Sequence, residues 1–299
     1  MNRLSEIIEA LEGFAPKELK EPWDNVGLMV GDRAQKIDKV YVCLDLTTEN
    51  VREAIDCGAD LIVSHHPLIF KPLYSVTEDD PISCMVRAAV KNNISIFSMH
   101  TNFDKAEGGT NDLLAHRLGL QHIREYSAAE CVDASGTPFS PIGRVGFLPA
   151  PVTMEEFLSK VKSTLGCTAL KYTGDPFDEV RCVALCSGSG GKEGVYSAFH
   201  SGADVYVTAD LGHEHARSAY ELGLNIIDAG HFETENTICE FLKDLFETKF
   251  PDIQFFVSSA KPLYSSFYHL AKATRGWLFF FISLFPFAYK YTKRQVIKC

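Results

Sequence analysis

The most informative segment of this chain for its fold is Gly58-Ala-Asp-Leu-Ile-Val-Ser-His-His66. Its apolar run, Leu61 to Val63, has the length of a buried strand, and two histidines follow where that strand ends. A second stretch in the other half of the chain, Gly202-Ala-Asp-Val-Tyr-Val-Thr-Ala-Asp210, repeats the pattern. The repeat predicts a degenerate internal duplication in which each copy places polar side chains directly after a strand.

Predicted strands and helices alternate around both stretches. In the first half we predict strands over 39–44, 61–63 and 94–98 and helices over 48–57, 81–92 and 109–118. In the second half we predict strands over 143–148 and 180–186 and a helix over 153–165. This alternation is typical of an α/β fold with a largely parallel sheet. We expect two similar α/β halves, about 1–125 and 126–260, with the functional site in the cleft between them, because ligands gather at the carboxyl ends of parallel strands.

The composition narrows the class of protein. The chain has 299 residues, of which 46% are hydrophobic and 23% charged, as in an ordinary globular protein. A net charge of −10 argues against general nucleic-acid binding, which needs a basic surface. The nine cysteines are odd in number, contain no Cys-x-x-Cys and lie mostly in apolar runs, as free thiols in a reducing compartment do. With no signal-peptide core at the N-terminus, we expect a cytoplasmic protein.

Histidines and carboxylates follow the predicted strands. Each His-x-x-x-Asp/Glu motif brings an imidazole and a carboxylate four residues later to the end of an apolar run. Any one of these motifs is equally well explained by loop residues that bind nothing. The whole set suits two divalent ions, because imidazole is a common metal ligand and a carboxylate can bridge two ions. The set comprises Ser64-His65-His66-Pro67, His100-Thr-Asn-Phe-Asp104 and Gly230-His231-Phe-Glu-Thr-Glu235.

Other histidines near these motifs have more than one interpretation. His100 is either a metal ligand or a donor that orients Asp104. Three further polar residues, Asp210, His213 and His215, lie where a loop passes into a helix. We expect His213 to be exposed and leave open whether the other two contact substrate or support ligands. His100 and His215 are the catalytic candidates, for proton transfer.

Two more motifs have a structural and a functional interpretation. Ser187-Gly-Ser-Gly-Gly-Lys-Glu-Gly194 could bind a phosphate, or it could be a tight turn that lets a helix pack closely. We favour the turn, because the motif is neither a Walker A sequence nor a clean G-x-G-x-x-G. Trp23-Asp24-Asn25 either lines a substrate pocket or combines a core tryptophan with a turn. No nucleophile motif such as Gly-x-Ser-x-Gly is present.

As a set, these motifs resemble the NIF-three-like dinuclear metal-centre family, which includes the GTP cyclohydrolase I type 2 homologues. The resemblance runs in order from about residue 3 to residue 260, so we expect one metal-binding domain over 1–260. The motifs that carry it are Trp-Asp-Asn-Val-Gly-Leu (23–28), the stretch 58–67, His-Thr-Asn-Phe-Asp (100–104), Ser-Gly-Ser-Gly-Gly (187–191) and Asp-Ala-Gly-His-Phe-Glu-Thr-Glu (228–235).

The resemblance implies a ligand set, an assembly and a substrate class. It implies that Glu235 bridges two ions and that His100 lies near them. It also implies a toroidal homohexamer and a small-molecule substrate, with a nucleotide as one candidate. The two divalent ions per chain are Zn, Fe, Mn, Co or Ni, because a His/carboxylate set accepts all of these metals. The implied ligands are His65, His66, Asp104, His231 and Glu235.

The tail, residues 261–299, departs from the family pattern. It holds seven of the 29 Lys/Arg and none of the 39 Asp/Glu. Its apolar run, Trp277 to Tyr289, is interrupted by Ser283 and Pro286 and falls short of the roughly 20 residues that span a bilayer. It could lie at a membrane interface or be a frameshifted or read-through C-terminus. We favour the second interpretation and expect no membrane contact.

Two functional hypotheses follow. The first is a cytoplasmic di-metal hydrolase, cyclohydrolase-like or phosphoesterase-like, in which the ions activate water for attack on a ring carbon or a phosphoryl group. The second is a non-catalytic metal-binding or regulatory ring protein that acts through protein partners. An open coordination position would favour the enzyme, and a closed site the alternative.

Overall fold

We describe the chain from a computed structural model, which describes residues 2–140, 142–259 and 261–263. All but the first residues of the tail lie outside this part of the chain. The strands are β1 (Asn2–Arg3), β2 (Gly27–Val30), β3 (Lys36–Ile37), β4 (Lys39–Cys43), β5 (Leu61–Ser64), β6 (Ser95–Ser98), β7 (Gln121–Arg124), β8 (Arg144–Thr153), β9 (Lys171–Tyr172), β10 (Glu179–Leu185), β11 (Val205–Thr208), β12 (Asn225–Asp228) and β13 (Gln254–Val257). The α-helices are α1 (Leu4–Phe14), α2 (Thr48–Asp56), α3 (Pro81–Lys91), α4 (Thr101–Lys105), α5 (Thr110–Arg117), α6 (Met154–Leu165), α7 (Gly191–His200), α8 (His213–Leu222), α9 (His231–Glu235) and α10 (Thr237–Lys249).

The first sheet has the strand order β13-β4-β5-β6-β2, in which only β2 is antiparallel to its neighbour. Both faces of its central strands are buried. Val42 and Val63 pack with α1 and α10 on one face, whereas Tyr41 and Ile62 pack with α2 and α3 on the other. Because successive side chains of a strand point to opposite faces, a continuous apolar run is what such a doubly covered strand requires.

The second sheet has the strand order β7-β8-β10-β11-β12-β9. Its centre, β10 to β12, is parallel, and the other strands add to it in antiparallel pairs. Val205 and Val207 of β11 pack with α5 and α6, whereas Tyr206 packs with α7 and α8. The structure therefore has the mixed α/β fold that the sequence predicts.

The repeated stretches make the same backbone contacts in the two sheets. Asp60 Oδ2 accepts hydrogen bonds from two backbone N–H groups at the start of β4, both at 2.9 Å. Asp204 Oδ2 accepts two from backbone N–H groups of β10, at 2.9 and 2.8 Å. Gly58 and Gly202 turn the chain before these aspartates with φ of +69° and +74°, a conformation that favours glycine. The duplicated sequence thus corresponds to a duplicated strand-and-loop scaffold.

The two sheets do not divide the chain at one residue. α5 and β7 lie with the second sheet although they precede residue 125, and β13 returns to the first sheet from the C-terminal side. The halves expected at 1–125 and 126–260 therefore exchange elements. Within the described residues, no helix is both long and apolar enough to cross a bilayer.

The fold brings the carboxyl ends of the parallel strands of both sheets together. His66 follows β5 and His231 follows β12, and their Nε2 atoms lie 3.2 Å apart. Every residue that follows one of these strands is therefore a candidate for a shared site.

Candidate metal centre

The first group of ligand atoms consists of His65, Asp104 and Glu235, all buried. His65 comes from the end of β5, Asp104 from α4 and Glu235 from the end of α9. His65 Nε2 lies 3.6 Å from Asp104 Oδ1 and 3.7 Å from Glu235 Oε1. Two carboxylates this close to an imidazole, away from water, need positive charge, which bound protons or a metal ion can supply.

His65 shows which kind of cation its site fits. Its Nδ1 lies 2.7 Å from the carbonyl oxygen of Met99, and because a carbonyl only accepts, Nδ1 must carry the proton. Nε2 then faces the two carboxylates, and this fully buried atom has no hydrogen-bond partner among the described residues. An unpaired buried imidazole nitrogen opposite carboxylates fits a divalent metal ion.

The second group consists of His66, His231 and Glu235. Glu235 Oε2 lies 3.0 Å from His66 Nε2 and 2.9 Å from His231 Nε2. At these distances Oε2 still has no aligned hydrogen-bond donor within the described part of the chain. Glu235 therefore belongs to both groups and presents one carboxylate oxygen to each.

Aspartates hold three of the histidines in place. His66 Nδ1 donates to Asp45 Oδ1 at 2.7 Å, and His231 Nδ1 donates to Asp210 Oδ2 at 2.6 Å. Each bond fixes the tautomer in which Nε2 faces Glu235. A carboxylate behind a histidine is the usual support of a metal-binding imidazole.

The third aspartate supports His100. His100 Nδ1 lies 2.8 Å from Asp24 Oδ1, and Asp24 Oδ2 also accepts from the backbone N–H of Thr101, at 3.1 Å. Burial alone would raise the pKa of Asp24, but the hydrogen bonds from His100 and Thr101 lower it to about 2. The His100 ring centroid lies 5.2 Å from that of His65 and 5.5 Å from that of His66, and the three histidines form a further group that could hold an ion.

The carboxylates dominate the electrostatics of the centre. Burial alone would lower the pKa of His66, but Asp45 and Glu235 raise it to about 10. Burial would also lower the pKa of His231, but Glu235 and Asp210 raise it to about 9. Against the effect of burial, the imidazoles hold the pKa of Glu235 well below its usual range. Without a metal ion, therefore, protons neutralise this site, and a divalent cation can take their place.

The glycine-rich loop closes one side of the centre. Gly188 has φ of +59°, and a Cβ there would lie 1.9 Å from Glu235 Oε1. Gly190 and Gly194 pack against the Tyr206 hydroxyl, where a Cβ would come within 1.8 and 2.0 Å. The loop therefore needs glycine for the close approach of α7 and of Glu235, which agrees with the tight-turn interpretation.

A cleft of about 450 Å³ leads to the centre. Its wall contains His231 and Glu235 of the centre and the glycine-rich loop. Trp23 lines it as well and is 57% exposed, so the interpretation of Trp23 as a core residue is wrong. A cleft of this size fits a small-molecule ligand.

Most of the predicted site residues lie together at the centre, but not all of them do. It brings together all five implied ligands and His100. His215 is in none of these groups; it lies in the first turn of α8, where its Nδ1 accepts from the Gly212 N–H at 3.2 Å. His213 is exposed, as predicted. The role of Asp45 in supporting His66 was not predicted, although Asp45 follows a predicted strand just as His65 does.

Fold and site together define a class: mixed α/β proteins in which histidines and carboxylates gather where two sheets meet, in groups that could hold metal ions. The family profile of Duf34/NIF3 (NGG1p interacting factor 3) matches residues 2–262. The chain therefore belongs to this family, as the sequence motifs predict.

Named relatives and solved structures agree with this assignment. Over 260 residues the chain is 37% identical to the GTP cyclohydrolase 1 type 2 homolog of Clostridium perfringens, a match that covers 86% of this chain and 96% of that protein. The homolog of the same name in Streptomyces coelicolor is 37% identical over 245 residues, covering 80% of this chain and 84% of that protein. The structure of a Bacillus cereus protein related to NIF3 matches with a TM-score of 0.76 and 26% identity, over 87% of this chain and 97% of that chain. Reduced HcgD from Methanocaldococcus jannaschii matches with a TM-score of 0.71 and 29% identity, over 87% of this chain and 98% of that chain.

Proposed function

We propose that this chain binds two divalent metal ions and acts as a metal-dependent hydrolase. His65 and Asp104 would hold one ion, His66 and His231 the other, and Glu235 would bridge them. The observation that carries this proposal is the position of Glu235, whose Oε1 lies 3.7 Å from His65 Nε2 and whose Oε2 lies 3.0 Å from His66 Nε2. The donors are nitrogen and oxygen atoms, so Zn, Fe, Mn, Co and Ni all fit.

Exposure favours the hydrolase over a closed, non-catalytic centre. A pair of divalent ions, when bound, lowers the pKa of water and stabilises charge on an attacked carbon or phosphoryl centre. The side chain of His231 is 35% exposed, and the cleft reaches both His231 and Glu235. A substrate can therefore approach the second ligand group directly, which a purely structural metal site does not need.

His100 is the side chain we propose for proton transfer. Asp24 fixes its Nδ1, which leaves Nε2 toward the ligand groups, and His100 lines the cleft. A positioned imidazole within reach of the reacting atoms is the most common general acid or base. His215, the other candidate from the sequence, stays a prediction, and no contact with the cleft supports it.

The name of the relatives supports a nucleotide as the first substrate to test. Both are called GTP cyclohydrolase 1 type 2 homologs. In that reaction class a ring carbon is hydrolysed, whereas a phosphoesterase would attack the phosphate groups of the same ligand. We therefore propose GTP and simple phosphate esters as the first substrate panel.

We also propose that the chain assembles as a homohexamer in the cytoplasm. Three large apolar side chains, Tyr74, Val76 and Val90, are exposed on α3 and the loop before it, a surface that suits a second copy. The eight cysteines in the described part of the chain are free, which suits a reducing compartment. Light scattering in solution should give the mass of six chains, and a monomer would contradict the assembly.

The test of the proposed function is hydrolysis with and without metal. We would remove metal with a chelator, restore it with each of the five divalent ions, and measure cleavage of GTP and of p-nitrophenyl phosphate. Activity should disappear with the metal, return with it, and be lost in His231→Ala. The exposed His213→Ala is the matched control and should remain active. Equal turnover by chelated and restored protein would contradict the proposal.

A further inference from the structure

Trp23 is an exposed indole in the wall of the cleft. More than half of its surface, 57%, is accessible, although it lies beside buried residues of the centre. Its ring centroid is 6.0 Å from that of Phe70 and 6.3 Å from that of His100, the latter in an edge-on arrangement. An exposed tryptophan lacks the apolar contacts that burial would give it. A ligand bound in the cleft could supply these contacts to Trp23.

The backbone around Trp23 is firmly held. The backbone N–H of Glu21 donates to Thr101 Oγ1 at 2.9 Å, and the Asp24 side chain, which is fully buried, bonds His100 and Thr101. On the other side, Asn25 Nδ2 donates to the carbonyl oxygen of Ile69 at 2.5 Å. Glu21 and Asp24, on either side of Trp23, are thus fixed to His100 and Thr101. The indole is presented to the cleft at little entropic cost on binding.

The charges of the cleft decide where each part of a ligand can bind. Among the described residues that line it there is no lysine or arginine. Lys105, beneath the wall, is paired with Glu21 and donates to Ser140 Oγ at 2.7 Å. The metal ions are therefore the cationic site for an anionic group, and we expect the rest of the ligand to lie against the apolar part of the wall. That part consists of Trp23, Phe139 and Ile142.

We propose that Trp23 stacks on the planar heterocyclic ring of a substrate whose anionic end binds at the metal centre. This is the chemistry of a purine nucleotide, and the inference rests on the proposed function. The inference adds that the ring of the substrate is recognised by the apolar part of the cleft wall that contains Trp23. Because bases stack on aromatic side chains with sequence-tolerant affinity, Trp23 sets a preference for a planar ring and does not choose among purines.

The experiment compares two ligands that differ only in the ring. GMP and ribose 5-phosphate share the sugar and the phosphate, and isothermal titration of the metal-loaded protein gives both dissociation constants. Trp23→Leu should weaken GMP binding by about 10- to 100-fold, and Trp23→Phe, which keeps a ring, by only a few fold. Neither variant should change ribose 5-phosphate binding or metal content. Phe177→Leu removes an aromatic ring that is 80% exposed outside the cleft and is the matched control.

Fluorescence reports on Trp23 itself. The chain has two tryptophans, so Trp277→Phe leaves Trp23 as the only indole signal. GMP should quench this signal, and guanosine should quench it even in chelated protein, because the ring needs no metal. Equal binding of GMP and ribose 5-phosphate, or GMP binding unchanged by Trp23→Leu, would overturn the inference. If the protein cannot be loaded with metal and guanosine still quenches, the proposed function fails, and only the stacking of a ring on Trp23 stands.

Discussion

The two copies of the repeated scaffold share their backbone and differ in their chemistry. After β5 the chain presents His65 and His66, whereas at the equivalent place after β11 it presents Ala209 and Asp210. His66 contacts Glu235 directly, at 3.0 Å, while Asp210 accepts the Nδ1–H of His231 at 2.6 Å. One scaffold thus supplies a proposed ligand in the first copy and the support of a proposed ligand in the second.

The carboxylates that follow the two histidines differ in the same way. Asp104 belongs to one ligand group, whereas Glu235 belongs to both. Glutamate is one methylene longer and presents its two oxygens to different neighbours. The longer side chain at the equivalent position is therefore why we propose Glu235, and not Asp104, as the bridge.

Glu235→Gln should have the largest effect of any change at the centre. The amide carries no charge and keeps only one of the two oxygens that Glu235 presents to the two groups, so we expect metal content to fall below one ion per chain and activity to be lost. Elemental analysis of purified protein measures this. Glu233→Gln, two residues earlier on α9, is the matched control and should retain its metal. Two ions per chain in Glu235→Gln would show that Glu235 does not bridge.

The pH dependence of metal affinity should be steep. In metal-free protein the pKa of His66 is about 10 and that of His231 about 9, so both imidazoles carry an extra proton at pH 7. Loading displaces these protons, and the apparent affinity should rise by about a hundredfold per pH unit below pH 9 when both leave. Competition with a chelator between pH 6.5 and 8.5 measures it. An affinity that is flat over this range would contradict the assigned donors.

The same protons have the opposite effect on metal-free protein. Both pKa values lie above the ordinary 6.5 of an imidazole. The stability they contribute is therefore complete below pH 6.5 and is lost as the pH rises through 9 and 10. Metal-free protein should therefore lose stability from about pH 6.5 upward, whereas the stability of loaded protein, whose two imidazoles carry no extra proton, should not fall over this range.

Changing the aspartates that support His66 and His231 should have a smaller effect on metal binding. One of these aspartates follows β4 in the first sheet and the other follows β11 in the second, so the two variants compare the two copies directly. Asp45→Asn and Asp210→Asn each weaken the hold on one imidazole, and we expect metal affinity to fall by about 10- to 100-fold. The side chain of Asp45 is 33% exposed and that of Asp210 is 52% exposed, so Asp45→Asn should lower metal affinity more than Asp210→Asn does. The readout is again competition with a chelator. A larger loss in Asp210→Asn would reverse this ranking.

The shared scaffold should respond equally in both copies. Asp60→Ala and Asp204→Ala each leave two backbone N–H groups without their carboxylate. We expect each to lower the free energy of unfolding by about 1–3 kcal/mol, without loss of metal at 25 °C. Denaturant unfolding measures both. A change in one variant only would show that the two copies are no longer energetically equivalent.

Much of the fold could be predicted because its centre is locally encoded. The predicted strand over 61–63 is β5 (Leu61–Ser64), and the helix expected from Thr153 is α6, with Thr153 Oγ1 accepting from the Glu156 N–H at 3.3 Å. The edge strands β7, β9 and β13 were not predicted. They are short or partly exposed and exist through pairing with distant strands, which leaves no periodic pattern in the sequence.

Residues of the candidate site could be predicted where a histidine, a common metal ligand, comes directly after a predicted strand. That rule pointed to His65, His66 and His231, the His-x-x-x-Asp/Glu spacing added Asp104 and Glu235, and the family resemblance implied the five as one ligand set. It could not find the role of Asp24, which lies 76 residues before His100, because only the tertiary fold joins them. It also could not show that Trp23 is exposed, since an isolated tryptophan is more often a buried residue.

Metal content per chain is the most direct measure of a centre that holds two ions. We would measure it by elemental analysis on protein purified without chelator, for the wild type and for His65→Ala and His231→Ala. Two separate ligand groups that share Glu235 predict about two ions in the wild type and about one in each variant. One ion in the wild type, or the loss of all metal in both variants, would contradict a centre built from two separately held ions.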